Sequence, residues 1–278
     1  MKVGNLGGRL VLIEGDLALD VHQASNGAFG PDPQQAFDDW DSFVAAASSF
    51  DRKELRTFDR RELRCPSPSP RQVLAVGLNY ASHAEETGLA LPEVPAIFTK
   101  FPSCLEGPES EVTLTGPTVD WEVELVAVIG RRASGVEERD AWAYVAGLCV
   151  GQDLSDRTLQ FAAGAQFSLG KSAPGFGPVG PWITTPDEVH DLNDLELGCS
   201  VNGVTVQSDR TSGLVFSVPR LIKELSAILP LLPGDLLFTG TPAGVGMVAN
   251  PPRFLAEGDV LESWVEGLGT LRTVAREA

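Results

Sequence analysis

The sequence predicts a mixed α+β fold with a largely β core, and three observations carry that reading. The 278 residues include 29 glycines and 20 prolines with no repeating period, which signals many turns and hence many short strands. Beyond residue 70, apolar or alternating runs of strand length follow one another between turn residues. Helical spacing of apolar residues is confined to a few stretches. Apolar residues at 43% and charged residues at 21% suit a globular core, and the length suits one large domain or a large one plus a small one.

Taken in order, residues 9–15 and 16–23 read as two short strands around Gly15. Asp32 and Pro33 offer an N-cap followed by proline in the first helical turn. Over 34–50, Phe37, Trp40, Phe43, Val44 and Ala47 recur at helical spacing and predict one amphipathic helix. Pro66, Pro68 and Pro70 alternate in a stretch that can neither continue a helix nor sit in a central strand. That stretch predicts a linker, dividing a small N-terminal accessory domain (1–66) from a second domain (67–278). Strands are expected over 73–80, 96–101, 111–115, 121–130 and 147–154. Asn202-Gly203 marks a hairpin between 195–201 and 204–209, because both residues accept the positive φ of a primed turn. A helix is expected from Pro219, and strands over 234–240, 259–267 and 269–277.

Lys and Arg number 21 against 38 Asp and Glu, giving a net charge of −17. Such a surface repels phosphate backbones and anionic membranes, so neither nucleic acid nor membrane is an expected partner. No apolar run reaches the roughly 18 residues of a membrane span, and residues 1–16 do not read as a signal peptide. Cys65, Cys104, Cys149 and Cys199 are scattered without a C-x-x-C pair, which reads as reduced thiols in a cytoplasmic protein.

Three segments carry candidate chemistry. In the strand around Asp120-Trp121-Glu122-Val123-Glu124, residues two apart share a face, so Glu122 and Glu124 project together. Two neighbouring carboxylates need solvent, a basic side chain or a divalent cation to offset their repulsion. Asp153 emerges where the apolar run ending at Gly151 stops; it suits either an Asx turn or a third ligand. Three carboxylates without His or Cys favour Mg²⁺ or Mn²⁺ over Zn²⁺. His83 precedes Glu86 by three residues, on one face of a helical turn, where Glu86 can fix the tautomer of a general base; a surface histidine beside acids is the alternative. His22 and His190 lack such a setting and read as structural. Residues 164–172 approximate a nucleotide-binding loop but place five residues, not four, between the glycines, which argues against nucleotide binding. Lys171 stands there either as a solvated lysine or as a cation for a developing enolate or a substrate carboxylate.

In order and interval, VGLNYASHAEE, DWEVELVAVIG, GQDLSDRTLQ, SLGKSAPGFGPVGPWI, VNGVTVQ and LLFTGTPAGVG resemble the fumarylacetoacetate hydrolase family, from about Val73 to Thr273. The resemblance implies a mixed β-sandwich roll with a small N-terminal α/β domain. It implies that Glu122, Glu124 and Asp153 bind the divalent metal, and that His83 and Glu86 act as a catalytic pair on a short lid. Lys171 takes the place of the active-site lysine, and Arg157, Gln160 and Thr241 fall at substrate-contact positions. A homodimer is implied as well.

The implied chemistry is coherent. The two oxygens of a 2-oxo acid or 1,3-diketone can chelate one cation, which stabilises the enolate left when an adjacent bond breaks. The expected activity is hydrolysis of a C–C bond in an acylpyruvate- or fumarylpyruvate-like diketo acid. Isomerisation of the 2-hydroxyhepta-2,4-diene-1,7-dioate type and oxaloacetate decarboxylation are the alternatives on the same site.

Overall fold

The computed structural model describes residues 1–277. The N-terminal segment contributes strands β1 (Lys2–Leu6), β2 (Arg9–Glu14), β3 (Leu17–Asp20), β4 (Arg56–Thr57) and β5 (Leu63–Arg64). Strands β6 (Val73–Gly77), β7 (Ala96–Thr99), β8 (Leu105–Glu106), β9 (Glu109–Thr113) and β10 (Val119–Asp120) follow, then β11 (Val123–Ile129), β12 (Val145–Gln152) and β13 (Ser155–Asp156). The last third holds β14 (Gly177–Thr184), β15 (Glu196–Val201), β16 (Val204–Arg210), β17 (Leu236–Phe238), β18 (Val260–Val265) and β19 (Gly269–Arg276). Among the described residues, five α-helices intervene: α1 (Val21–Ala24), α2 (Trp40–Ala47), α3 (Ala81–Thr87), α4 (Arg157–Ala162) and α5 (Val218–Ser226).

The main sheet runs β4-β3-β2-β1-β14-β12-β11-β17-β6-β7, and a second runs β16-β15-β18-β19-β9. Side chains of β11 alternate between two cores. Val123, Leu125, Ala127 and Ile129 pack toward the second sheet with Leu197, Val201, Leu261 and Leu271, the interior of a sandwich. Val126 and Val128 pack on the opposite face against Phe37, Trp40 and Phe43 from the N-terminal segment. The fold is thus the strand-dominated α+β sandwich expected from the sequence.

The Asn202-Gly203 turn forms as predicted, with φ of 53° and 76° joining β15 to β16. The expected helix over 34–50 divides in two. Residues Pro33–Asp39 form a 3₁₀ segment, and α2 starts at Trp40. Asp39 explains the break: its carboxylate accepts from the Ser42 amide at 3.1 Å and hydroxyl at 2.7 Å, capping a new start. Beyond several two-residue strands, two longer ones escaped the sequence reading. β1 carries Gly4 and Asn5, and β14 carries Gly177, Pro178, Gly180 and Pro181, all residues depleted from strands. Tertiary pairing overrides both preferences: β14 sits between β1 and β12, with a register shift opposite Leu148–Val150. The main sheet consequently crosses the Pro-rich stretch, whose Ser67 is buried and donates to the Gly234 carbonyl at 2.7 Å.

Candidate active site and metal centre

Antiparallel pairing of β11 with β12 matches Val123 to Gln152, and the Asp153 amide donates to the Glu122 carbonyl at 2.9 Å. The start of one strand therefore meets the end of the other. Glu122 and Glu124 continue the Val126–Val128 row past the end of the apolar core. Carboxylate oxygens of Glu122, Glu124 and Asp153 lie within 4.8 Å of one another, and all three residues are buried. The set is oxygen-only, which fits a hard divalent cation.

Basic side chains surround this cluster. Lys171 Nζ donates to Glu122 Oε2 at 2.6 Å and Asp153 Oδ2 at 2.7 Å. Arg157 donates through Nη1 to Glu122 Oε1 at 2.6 Å and to Gln160 Oε1 at 2.9 Å. Its Nε donates to Asp120 Oδ2 at 2.9 Å, and Nη2 lies 2.7 Å from that oxygen. Lys100, which sequence reasoning missed, is buried and donates to Asp153 Oδ1 at 2.6 Å and to the Lys171 carbonyl. Its signal was its place two residues after Phe98, on the row of a core residue. Asp120 was missed as well; it is wholly buried and also accepts from the backbone amides of Gly246 and Met247.

Four buried carboxylates thus face three basic groups, and Glu124 is the one without a close cation. It accepts from the Gly240 amide at 2.6 Å. Burial, reinforced by the neighbouring charges of Asp153 and Glu122, pushes the Glu124 carboxyl well above its usual range. Burial also acts to raise Glu122, but the charges of Lys171, Arg157 and His83 outweigh it and hold that carboxyl down at about 2. A carboxylate left short of positive charge among oxygen donors is the setting a divalent cation completes.

His83 and Glu86 lie together on α3, as their spacing predicts. His83 Nδ1 donates to Glu86 Oε1 at 2.7 Å, and Glu86 Oε2 accepts from the Gly244 amide at 2.8 Å. An ionised carboxylate only accepts, so the Nδ1 proton is fixed and Nε2 is left as a base. His83, Glu122, Arg157, Gln160, Lys171 and Thr241 line one cavity of about 190 Å³. Larger clefts elsewhere, of about 510 and 670 Å³, are lined by none of these six. Thr241 is already engaged: its hydroxyl donates to the Val123 carbonyl at 2.9 Å and accepts from Gln207 at 2.8 Å. His22 bonds the Phe29 carbonyl and His190 lies 3.9 Å from Glu266, both outside this cavity.

The nucleotide-loop-like stretch leads instead into the 3₁₀ segment Leu169–Lys171, which packs on α4. A Cβ on Gly170 would lie 2.3 Å from the Gln160 amide nitrogen, so only glycine permits the approach that delivers Lys171 to the carboxylates.

A β-sandwich that collects buried acids and bases at the ends of two paired strands, against a cavity, is built like an enzyme for small polar molecules. The fumarylacetoacetate (FAA) hydrolase C-terminal family matches residues 72–275, and the chain belongs to that family. It is 50% identical to an HpcE-like protein from Mycobacterium smegmatis, with complete coverage of both chains and a TM-score of 0.95. It is 27% identical to maleylpyruvate hydrolase from Sphingobium sp. SYK-6, solved with manganese(II) and pyruvate, again covering both chains fully, at a TM-score of 0.80. A mitochondrial oxaloacetate tautomerase from Rattus norvegicus is 43% identical over 208 residues; the match spans 74% of this chain and 66% of that relative. Hydrolases and tautomerases thus share the family with this chain.

Proposed function

We propose that the protein is a divalent-metal-dependent hydrolase that cleaves a C–C bond in a diketo acid of acylpyruvate type. The observation that carries the reading is the buried Glu122–Glu124–Asp153 cluster, whose Glu122 lines the same cavity as His83, itself paired with Glu86. Glu122, Glu124 and Asp153 would hold Mg²⁺ or Mn²⁺, which supplies a Lewis acid for the 2-oxo group. His83 Nε2 takes a proton from water, and Glu86 holds the ring and offsets its charge. Water adds to the acyl carbonyl, the bond to the methylene carbon breaks, and the products are a carboxylic acid and pyruvate. Lys171 and Arg157 keep Glu122 ionised, and Gln160 offers its amide to the substrate carboxylate. Thr241 shapes the floor through its methyl group, since its hydroxyl is engaged. Residues 67–278 form the catalytic part, with 1–66 as accessory, in a cytoplasmic homodimer.

A second reading, keto–enol tautomerisation or double-bond isomerisation of a 2-oxo acid, is favoured by the likeness to the oxaloacetate tautomerase and the HpcE-like protein. Here His83 moves a proton at the carbon beside the 2-oxo group and no water is consumed. Decarboxylation of oxaloacetate is the remaining variant.

Loss of the acetylpyruvate enol absorbance, with Mg²⁺ and again after chelation, tests the reading. Metal-dependent loss with acetate and pyruvate as products supports it. Solvent deuterium entering the substrate without cleavage would transfer the assignment to the second reading. Glu122→Ala should abolish turnover together with Mn²⁺ binding, whereas His83→Ala should retain Mn²⁺ binding and slow cleavage about 10²-fold or more. Loss of Mn²⁺ affinity in His83→Ala would show that its role is misassigned.

A further inference from the structure

Every basic group that lines the cavity is already engaged by acids of the protein itself. Lys171 bridges Glu122 and Asp153, and Arg157 spans Asp120, Glu122 and Gln160. No other lysine or arginine lines the cavity among the described residues. Apolar side chains supply much of the lining, Leu89, Phe98, Phe161, Phe167, Met247 and Val248 among them. Three of these rings form a wall from the surface inward. Phe161 is 49% exposed and meets Phe167 edge-on at 5.8 Å; Phe167 meets Phe98 edge-on at 5.9 Å; and Phe98 is 9% exposed beneath Lys171 Nζ, 5.1 Å from its ring. Leu89, 56% exposed, opens on the same cavity after α3. A distal carboxylate entering along this wall would lose water and gain no cation in exchange. An alkyl or aryl group would bury surface against the rings at no such cost.

We infer that the substrate is a 2-oxo acid whose distal substituent is apolar, an alkyl or aryl tail seated on the Phe161–Phe167–Phe98 wall, rather than a dicarboxylate. The inference rests on the 2-oxo-acid reading above and narrows it. Gln160 with the metal-binding cluster would take the 2-oxo-carboxylate head, and the wall selects the tail.

The test is calorimetric binding to the Mn²⁺-loaded protein of three probes. Oxalate presents the head alone. The anions of 5-methyl-2-oxohexanoic acid and 2-oxoglutaric acid have the same number of heavy atoms and differ in an isopropyl or carboxylate terminus. The branched acid should bind at least tenfold more tightly than 2-oxoglutarate. Equal or tighter binding of 2-oxoglutarate, with oxalate bound, would overturn the apolar tail and leave the metal site standing. Failure of oxalate to bind would overturn the 2-oxo-acid reading and this inference with it. Phe161→Arg places a cation at the mouth and should reduce the preference for the branched acid at least fivefold. An unchanged preference in that variant would show that the tail does not reach the ring wall.

Discussion

Lys100 illustrates how much one residue holds at this centre. Its ammonium is enclosed at 1% exposure and compensates Asp153 from the side opposite Lys171. Lys100→Met should cost about 3 kcal/mol or more, the usual consequence of stranding one partner of a buried pair. Chemical denaturation of the metal-free protein would measure it, and a loss below about 1 kcal/mol would contradict the pairing. Glu124 leads to a pH effect of definite sign. Burial first, then Asp153 and Glu122, raise its folded-state value. A raised carboxyl contributes stability below its unfolded value, and that contribution disappears as pH rises through the folded value. The metal-free protein should therefore lose melting temperature as pH climbs through the raised Glu124 value. Mn²⁺ should restore more at the upper end of that window and release a proton on binding. Titration in buffers of different ionisation enthalpy would detect the proton; identical heats would refute it.

Among elements, legibility followed the strength of local chemistry. The Asn202-Gly203 hairpin was readable because the turn dictates its residues, and the β11 alternation was readable because adjacent side chains enter different surroundings. The start of α5 was foreseen within a residue, at Val218 instead of Pro219, because proline is recognisable in a first turn; the cap itself is Ser217. β14 was hidden because its glycines and prolines speak against a strand, and only its neighbours β1 and β12 make it one. The Lys171 segment was misleading locally, since its glycines resemble a phosphate loop while Gly170 serves packing against α4. Gly170→Ala should cost about 1–3 kcal/mol through overpacking against the Gln160 backbone. It should also weaken Mn²⁺ binding by displacing Lys171. An unperturbed melting temperature together with unchanged Mn²⁺ affinity would contradict that packing role.

At the scale of the whole chain, the two cores place all four cysteines inside. Burial pushes the Cys65 thiol up to about 12 and raises Cys104, Cys149 and Cys199 as well. A thiol-specific reagent at pH 8 should therefore label none in the folded protein and four in denaturant. Rapid labelling of any one without denaturant would contradict its burial. The motif order foreshadowed the family because each motif is anchored to a strand end. The continuous sheet was not foreshadowed, because β1 and β14 are separated by about 170 residues and composition contains no trace of their pairing.

The Glu122–Asp153 match across β11 and β12 has a further consequence in time. Side chains alternate with a period of two, so an alignment displaced by one residue would bury the acids among aliphatic groups and expel valines from their core. A nascent chain with that mispairing would be penalised twice, by stranded charge and by lost apolar contact. The acids of this cluster therefore favour the correct alignment of the strands that carry them, and the cluster itself assembles only with the correctly zipped strands.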